Sequence, residues 1–281
     1  MVLITGAGGI LGSAVTATAP AGQDFIGARR ADGDLTDGRA VRALLAAHAP
    51  DVVIHCAAYT DVDGCTQDPQ RARRNNADAT ALIAQECAQR RTRLIFVSTD
   101  YVFSGTKTEP YGVDDQPQPL NPYGESKLAG ERAVAEALDD YLIVRTQWLY
   151  GPGGNNFVSA ILNRAQAGES LKVAADEFGS PTYSRDLAQA LWLAATSELR
   201  GIVHITNSGH CSRLALAEAA LEAAGLGHTE IDPIKAADWP SPTARPLHVV
   251  LDNRRWLQAG YPRLRPWPQA VQEYVARYFS R

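Results

Sequence analysis

Short, continuous apolar runs alternate with stretches of helical periodicity along the first half of the chain, and this alternation constrains the fold more than any other feature. The runs are VLIT (2–5), DFIGA (24–28), VVIHCAA (52–58), LIFVS (94–98) and LIVRT (142–146). Apolar at successive positions and only a few residues long, they suit strands buried on both faces. Between them GRAVRALLAAHAP, the stretch around NNADATALIAQECAQ, and NPYGESKLAGERAVAEAL carry apolar residues near helical spacing. The pattern predicts an α/β fold of the Rossmann type, a doubly wound parallel sheet with helices on both faces. After about residue 150 the texture changes, with Gly and Pro clusters at GPGGNN, FGSPTY, DWPSPTARP and YPRLRPWP. The expected division is a Rossmann domain over 1–150 and a smaller, mainly substrate-binding α/β domain over 151–281, with room for the chain to cross back. SRLALAEAALEAAG reads as a complete helix, N-capped by Ser212 and stopped by Gly225.

Composition narrows the partners. With 281 residues and 45% hydrophobic content, the chain can fill a sizeable core. A formal net charge of −4 offers no electrostatic footprint for nucleic acid or an anionic membrane, so a small-molecule partner is expected. Cys56, Cys65, Cys87 and Cys211 lack the paired spacing of a zinc site and are too few for a disulfide framework. The N-terminus MVLITGAGG lacks a basic leader, and nowhere are 18 consecutive residues apolar. A reduced, cytoplasmic protein is the expectation; no metal is assigned, and the oligomeric state is not readable.

The first predicted strand runs directly into TGAGGILG, which places Gly6, Gly9 and Gly12 where the chain should turn into a helix. Glycine permits the tight turn and lets backbone N–H groups approach a pyrophosphate at the helix N-terminus. Three spaced glycines are weak alone, but this strand–turn–helix context is the one a dinucleotide requires. The second strand ends in Arg29 and Arg30, where a NAD-preferring site would usually carry an acidic residue. Paired guanidinium groups suit a 2′-phosphate, so NADPH is expected. Asp34 keeps a contact to the adenosine, and use of NADH, open. For either arginine alone, a solvated charged loop is the competing reading.

Thr99 stands in STDYVF, and Tyr123 and Lys127 stand in PYGESK. Asn121 and Pro122 lead naturally into a helix, which puts Tyr123 in its first turn and Lys127 one turn later on the same face. A nearby ammonium and an oxidised nicotinamide would both favour phenolate, making Tyr123 a general acid for a carbonyl oxygen that Thr99 also hydrogen-bonds. Against this stand a surface lysine paired with Glu131 at i,i+4 and a helix-end aromatic.

GAGGILG, CAAYTDVDGCTQDP, the NNADAT stretch with Asn76, STDYVFSG, PYGESKLAGE, RTQWLYGPGGNNFV, FGSPTY and ARPLHVVLD occur in order. In these segments the chain resembles the extended short-chain dehydrogenase/reductases, and within them the dTDP-4-dehydrorhamnose reductase family. The resemblance implies Thr99, Tyr123 and Lys127 as catalytic triad and reduction of the 4-keto group of a dTDP-4-keto-6-deoxy-sugar. The expected cofactor set is Gly6, Gly9, Ile10, Leu11, Gly12, Arg29, Arg30, Asp34, Leu35, Ala57, Ala58 and Tyr59 beside Tyr123 and Lys127. Thr60, Val62, Thr99, Tyr101, Trp148, Asn156, Phe157 and Arg245 are implied around the sugar or its nucleotide. Trp148 stands at the presumed C-terminal mouth of the sheet, where its flat face can rest on the sugar. Arg245 suits a diphosphate, with a loop salt bridge as its alternative.

Four residues depart from the family pattern. Ile10 and Glu177 each stand where a glutamine is usual, and Arg29–Arg30 replace a common acidic residue. Some relatives dimerise through magnesium, but the chain shows no matching carboxylate cluster. A dehydratase of the superfamily would need an adjacent Asp-Glu pair, and here Asp100 is followed by Tyr101. Epimerisation stays open, as do a dihydrostreptose-type synthase and a noncatalytic regulatory subunit like the beta subunit of methionine adenosyltransferase.

Overall fold

The computed structural model describes residues 1–279. The alternation in the sequence folds into a six-stranded sheet whose neighbouring strands are all parallel. Five strands, β1 (Val2–Thr5), β2 (Phe25–Ala28), β3 (Val52–His55), β4 (Arg93–Thr99) and β5 (Tyr141–Thr146), arise from the five apolar runs. Four short strands follow: β6 (Leu149–Tyr150), β7 (Leu171–Ala174), β8 (Phe178–Gly179) and β9 (Thr182–Tyr183). The sixth sheet strand is β10 (Gly201–His204), and β11 (Cys211–Ser212) and β12 (Ile231–Ile234) pair with β8 and β7. In the order β10-β5-β4-β3-β1-β2, the chain runs one way from β1 and the other way from β3. That reversal opens a crevice between the C-terminal ends of β1 and β3, where ligands enter doubly wound folds.

Helices α1 (Ile10–Ala17), α2 (Gly38–His48), α3 (Val62–Gln67), α4 (Pro69–Arg73), α5 (Ala79–Arg90) and α6 (Pro122–Ala137) occupy the first half. In the second half lie α7 (Phe157–Gln166), α8 (Ser184–Ala195), α9 (Arg213–Ala223), α10 (Arg254–Gln258) and α11 (Trp267–Tyr278). Side chains alternate along a strand, so Val2 and Ile4 enter one core while Leu3 enters the other. The first core packs α1, α8 and α10 on the sheet through Leu11, Val15, Leu191, Trp192 and Trp256. The second packs α2, α5 and α6 through Leu45, Ile83 and Val134. Each such fully buried side chain contributes about 1.5–3 kcal/mol. Trp192 Nε1 also donates to the Val15 carbonyl at 2.8 Å, tying α8 to α1.

A separate core gathers α7, α9 and α11 around Tyr150, Leu162, Tyr183, Leu216, Val271 and Tyr274. Here α9 starts as its sequence predicts, with the Ser212 hydroxyl accepting from the Ala215 amide at 3.0 Å, and Gly225 follows it at φ +70°. Between the segments of this second unit, α8 and β10 return to the Rossmann sheet, with Ile202 opposite Ile143. The sequence does not mark GIVH as a sheet strand, because a four-residue edge strand is specified by the neighbour it joins rather than by its own period. Among the described residues, no helix is long and apolar enough to cross a membrane.

Candidate active site

β4 delivers Thr99 to the crevice, and a 3₁₀ turn over Asp100–Val102 follows at once. Opposite, Asn121 caps α6 by accepting from the Gly124 amide at 2.9 Å, and Pro122 occupies the first turn, as the sequence predicts. Gly124 sets the spacing between the two elements. A Cβ there would lie 2.2 Å from the Tyr101 carbonyl oxygen, so any other residue would push α6, and Tyr123 with it, away from Thr99. Asn76 supplies a second tie. Its Oδ1 accepts from the Tyr59 amide at 2.7 Å, and its Nδ2 donates to the Tyr59 carbonyl and to Ser126 Oγ at 2.9 and 3.0 Å. The loop after β3 is thereby clamped to α6.

Lys127 is buried, and its Nζ donates to the Val97 carbonyl at 2.8 Å while lying 4.1 Å from the Phe96 ring centroid. It is no surface lysine. Glu131 is engaged instead by Arg145, at 2.9 and 2.6 Å, and by the Ser98 hydroxyl at 2.6 Å. Burial pushes the Lys127 ammonium down to about 7, with Glu131 opposing. Burial holds the Tyr123 phenol well above its ordinary range, and a hydrogen bond with Thr99 only partly offsets this.

Behind Thr99 lies Asp100, also buried. Its carboxyl is pushed up to about 6 by burial, against hydrogen bonds from Thr99 and Gln147 and the charge of Arg213.

On the cofactor side, β1 runs into Gly6 (φ +71°) and then into α1 through Gly9. No side chain among the described residues caps that helix, and its first turn holds no acidic residue. Its leading N–H groups therefore remain available to an anion. A Cβ on Gly12 would sit 2.2 Å from the Gly6 carbonyl oxygen, so the tight turn requires glycine there. Gly9, Ile10, Leu11, Gly12 and Ala58 line the cleft; Gly6 presses against the Ala57 backbone beneath it, and Tyr59 is the residue held by Asn76. These features fit a dinucleotide.

Arg29 and Arg30 are exposed at the end of β2, and a Cβ on Gly8 would touch Arg29 Cγ at 4.0 Å. Asp34 is spent on a turn, accepting from the amide and hydroxyl of Thr36 at 3.0 and 2.8 Å, while Leu35 leans on the sheet core. These four residues lie outside the walls of the cleft. Ile10 has a local reason to be apolar: a Cβ on Gly154 would come within 2.9 Å of its Cγ1, so the GPGGNN loop rests on it.

The cleft, about 930 Å³, joins Thr99, Tyr123 and Lys127 to Thr60, Val62, Tyr101, Trp148, Asn156, Phe157 and Arg245. Trp148 holds a left-handed backbone at φ +44°, uncommon for a bulky residue. Gly179 makes room for it, since a Cβ there would meet Trp148 Cε2 at 2.8 Å and Gln147 Nε2 at 2.7 Å. Asn156 caps α7, bonding the Ser159 amide at 3.0 Å and the Gly151 carbonyl at 2.9 Å, so its polar atoms shape the wall. Arg245 makes the loop salt bridge with Asp63 at 3.0 Å and reaches Tyr101 Oη at 3.4 Å. Two residues were missed from the sequence. Gln147 sits inside RTQWLY with no local sign of its reach, and Arg213 reads only as a helix start. Arg213 lies over the Trp148 and Phe157 rings at 3.7 and 4.9 Å and pairs with Glu177 at 3.3 Å.

Residues 1–280 match the family described as the RmlD substrate binding domain. A dTDP-4-dehydrorhamnose reductase of Mycolicibacterium smegmatis is 41% identical over 279 residues, spanning 98% of this chain and 85% of the relative. The chain belongs to the dTDP-4-dehydrorhamnose reductase family. A Bacillus anthracis enzyme of that name, solved in complex with NADP, superposes with a TM-score of 0.95 at 32% identity and covers 98% of both chains. A probable dTDP-4,6-dihydroxy-2-methyloxan-3-one 4-ketoreductase of Streptomyces antibioticus is 37% identical over 96% of this chain and 93% of its own.

Proposed function

We propose that the protein is an NADPH-dependent dTDP-4-dehydrorhamnose reductase that forms dTDP-L-rhamnose. The observation that carries this reading is that Thr99, Tyr123 and Lys127 share one cleft with the uncapped N-terminus of α1. Gly9 to Gly12 would cradle the pyrophosphate, and Arg29 and Arg30 would take the 2′-phosphate that separates NADPH from NADH. When bound, the cofactor supplies hydride to the carbonyl carbon.

Tyr123 donates its phenolic proton to the carbonyl oxygen, and Thr99 hydrogen-bonds the same oxygen as charge develops there. Tyr123 carries its proton throughout the neutral range, as a donor must; burial makes the phenol a weaker acid, so the transfer is driven by the charge that develops on the carbonyl oxygen. Lys127, pushed down to about 7, lets a small change of surroundings move its own charge beside the reacting atoms. Trp148 offers a flat face to the sugar, and Arg245 a guanidinium to the diphosphate. The first unit would hold the cofactor, and the unit built on α7, α9 and α11 would shape the sugar's wall. With Tyr101 after Asp100, the base needed for dehydration is missing. Four free cysteines suit a reducing, cytoplasmic setting.

Purified protein mixed with NADPH and dTDP-4-dehydrorhamnose should consume the nicotinamide absorbance and yield a 6-deoxyhexose nucleotide. Turnover only with a stereoisomeric keto-sugar would move the assignment to a sister ketoreductase, a reading that the Streptomyces antibioticus relative makes concrete. No turnover with any keto-sugar would favour the regulatory subunit.

A further inference from the structure

The hydrogen bonds behind Thr99 leave its hydroxyl two arrangements. Gln147 Oε1 accepts from the Ser180 amide at 2.6 Å, which fixes the orientation of the Gln147 amide. Its Nε2 then donates to the Val249 carbonyl at 2.7 Å and to Asp100 Oδ2 at 2.8 Å. Gln147 thus turns a donor and not its acceptor toward Oδ2, so a proton there would find no acceptor on Gln147, whereas one on Oδ1 can be accepted by Thr99 Oγ1. Any proton on Asp100 therefore sits on Oδ1, the oxygen 3.0 Å from Thr99 Oγ1.

Thr99 Oγ1 also accepts from the Tyr101 amide at 3.2 Å. A hydroxyl has one hydrogen and two lone pairs, so Asp100 decides what Thr99 presents to the cleft. When Asp100 is ionised, the hydroxyl hydrogen points at Oδ1, and a lone pair faces the substrate. When Asp100 is protonated, Oδ1–H and the Tyr101 N–H fill both lone pairs, and the hydrogen turns toward the cleft, where the Tyr123 phenol oxygen and an incoming carbonyl oxygen can accept it.

We propose that Asp100, held by Gln147, is a positioning residue whose proton makes the Thr99 hydroxyl a hydrogen-bond donor toward the substrate's carbonyl oxygen. This rests on the ketoreductase reading. An oxygen that gains negative charge during hydride addition is stabilised by donors and repelled by a lone pair. Burial keeps the Asp100 carboxyl poised near neutrality, at about 6. The charged and titratable groups facing it are Arg213 at the start of α9, Tyr123 on α6 and Tyr101 in its own turn. Arg213, which favours the ionised form, is itself drawn toward Glu177.

The test compares D100N with D100A. Asparagine can keep its oxygen on Gln147 Nε2 and present its own NH₂ to Thr99, a permanent mimic of the protonated acid. In wild type, kcat/KM should fall about tenfold per pH unit above about pH 6, because the donor form is lost as Asp100 ionises. D100N should remove the limb near pH 6 and leave only the limb nearer pH 7 that Lys127 contributes, whereas D100A should lower kcat about tenfold with KM little changed. A D100N profile that keeps the limb near pH 6, or a D100N as slow as D100A, would overturn the proposal.

A second measurement does not depend on turnover. The Gln147 side-chain amide resonances should titrate with Asp100 in wild type and stay still in D100N; resonances that never move overturn the assignment. Absence of turnover in wild type with every keto-sugar sinks the ketoreductase reading instead, and leaves the resonances to judge Asp100.

Discussion

The two halves of the cleft are built by different means. On the cofactor side the chain works with its backbone: β1, the Gly6 turn and α1 follow one another within seventeen residues, and the useful groups are main-chain N–H donors. The sugar side is assembled from side chains that meet across long separations. Gln147 reaches Asp100, Ser180 and Val249, and Arg213 settles on Trp148 from the start of another helix. A local backbone site tolerates little change in glycine but much in its surroundings. A side-chain site depends on how distant segments press together, so it can be retuned residue by residue. Glu177 opposite Arg213 is one such long-range contact on that side.

The sharpest way to separate the halves is Tyr123→Phe, which keeps the ring and removes the proton donor. Reduction should fall by about 10²–10⁴-fold while NADPH still binds, read by fluorescence titration. Near-normal turnover would refute the role given to Tyr123. Next come two glycines, one from each half. Gly12→Ala drives a Cβ into the Gly6 carbonyl, and Gly179→Ala drives one into Trp148 and Gln147. At about 1–3 kcal/mol of overpacking, Gly12→Ala should weaken NADPH, and Gly179→Ala should raise KM for the sugar while sparing NADPH. If either variant damages both parameters alike, the division between the halves fails.

A smaller effect is expected from Arg29→Ala combined with Arg30→Ala. Loss of charge-assisted bonds to a 2′-phosphate should cost NADPH about tenfold and NADH much less. Equal losses, measured by calorimetry, would return both arginines to the solvated loop.

A last prediction concerns the sheet beneath both halves and reads stability rather than activity. Burial pushes His55 and His204, in β3 and β10, down to about 3 from an ordinary 6.5. Their folded pKa values are depressed, so the unfolded chain binds more protons between those limits. The stability they contribute is complete above about 6.5 and is lost as pH falls toward 3. Denaturant midpoints should drop across that window, and a midpoint independent of pH would count against the buried neutral histidines.

The same contrast explains what could be read before any coordinates. Periodicity, the Asn121–Pro122 helix start and the Ser212 cap are short-range properties written in neighbouring letters, and their elements formed as expected. The placement of Tyr123 and Lys127 on one wall followed from helix geometry alone. Lys127's buried state did not: Glu131 lies one turn away in sequence, but Arg145 from β5 claims it. Nor did the direction of the Tyr123 shift, which depends on how much low-dielectric wall surrounds the phenol.

By itself, then, the sequence determined a parallel α/β sheet, a glycine turn fit for a pyrophosphate, and a Thr, Tyr and Lys trio at its mouth. Each of those rests on backbone preferences acting over a few residues. Only the tertiary structure decided that GIVH joins the sheet, that Arg213 backs Trp148, and that Gln147 pins Asp100 behind Thr99. These contacts link residues tens of positions apart, and their energies exist only once the folded cores have brought the segments together.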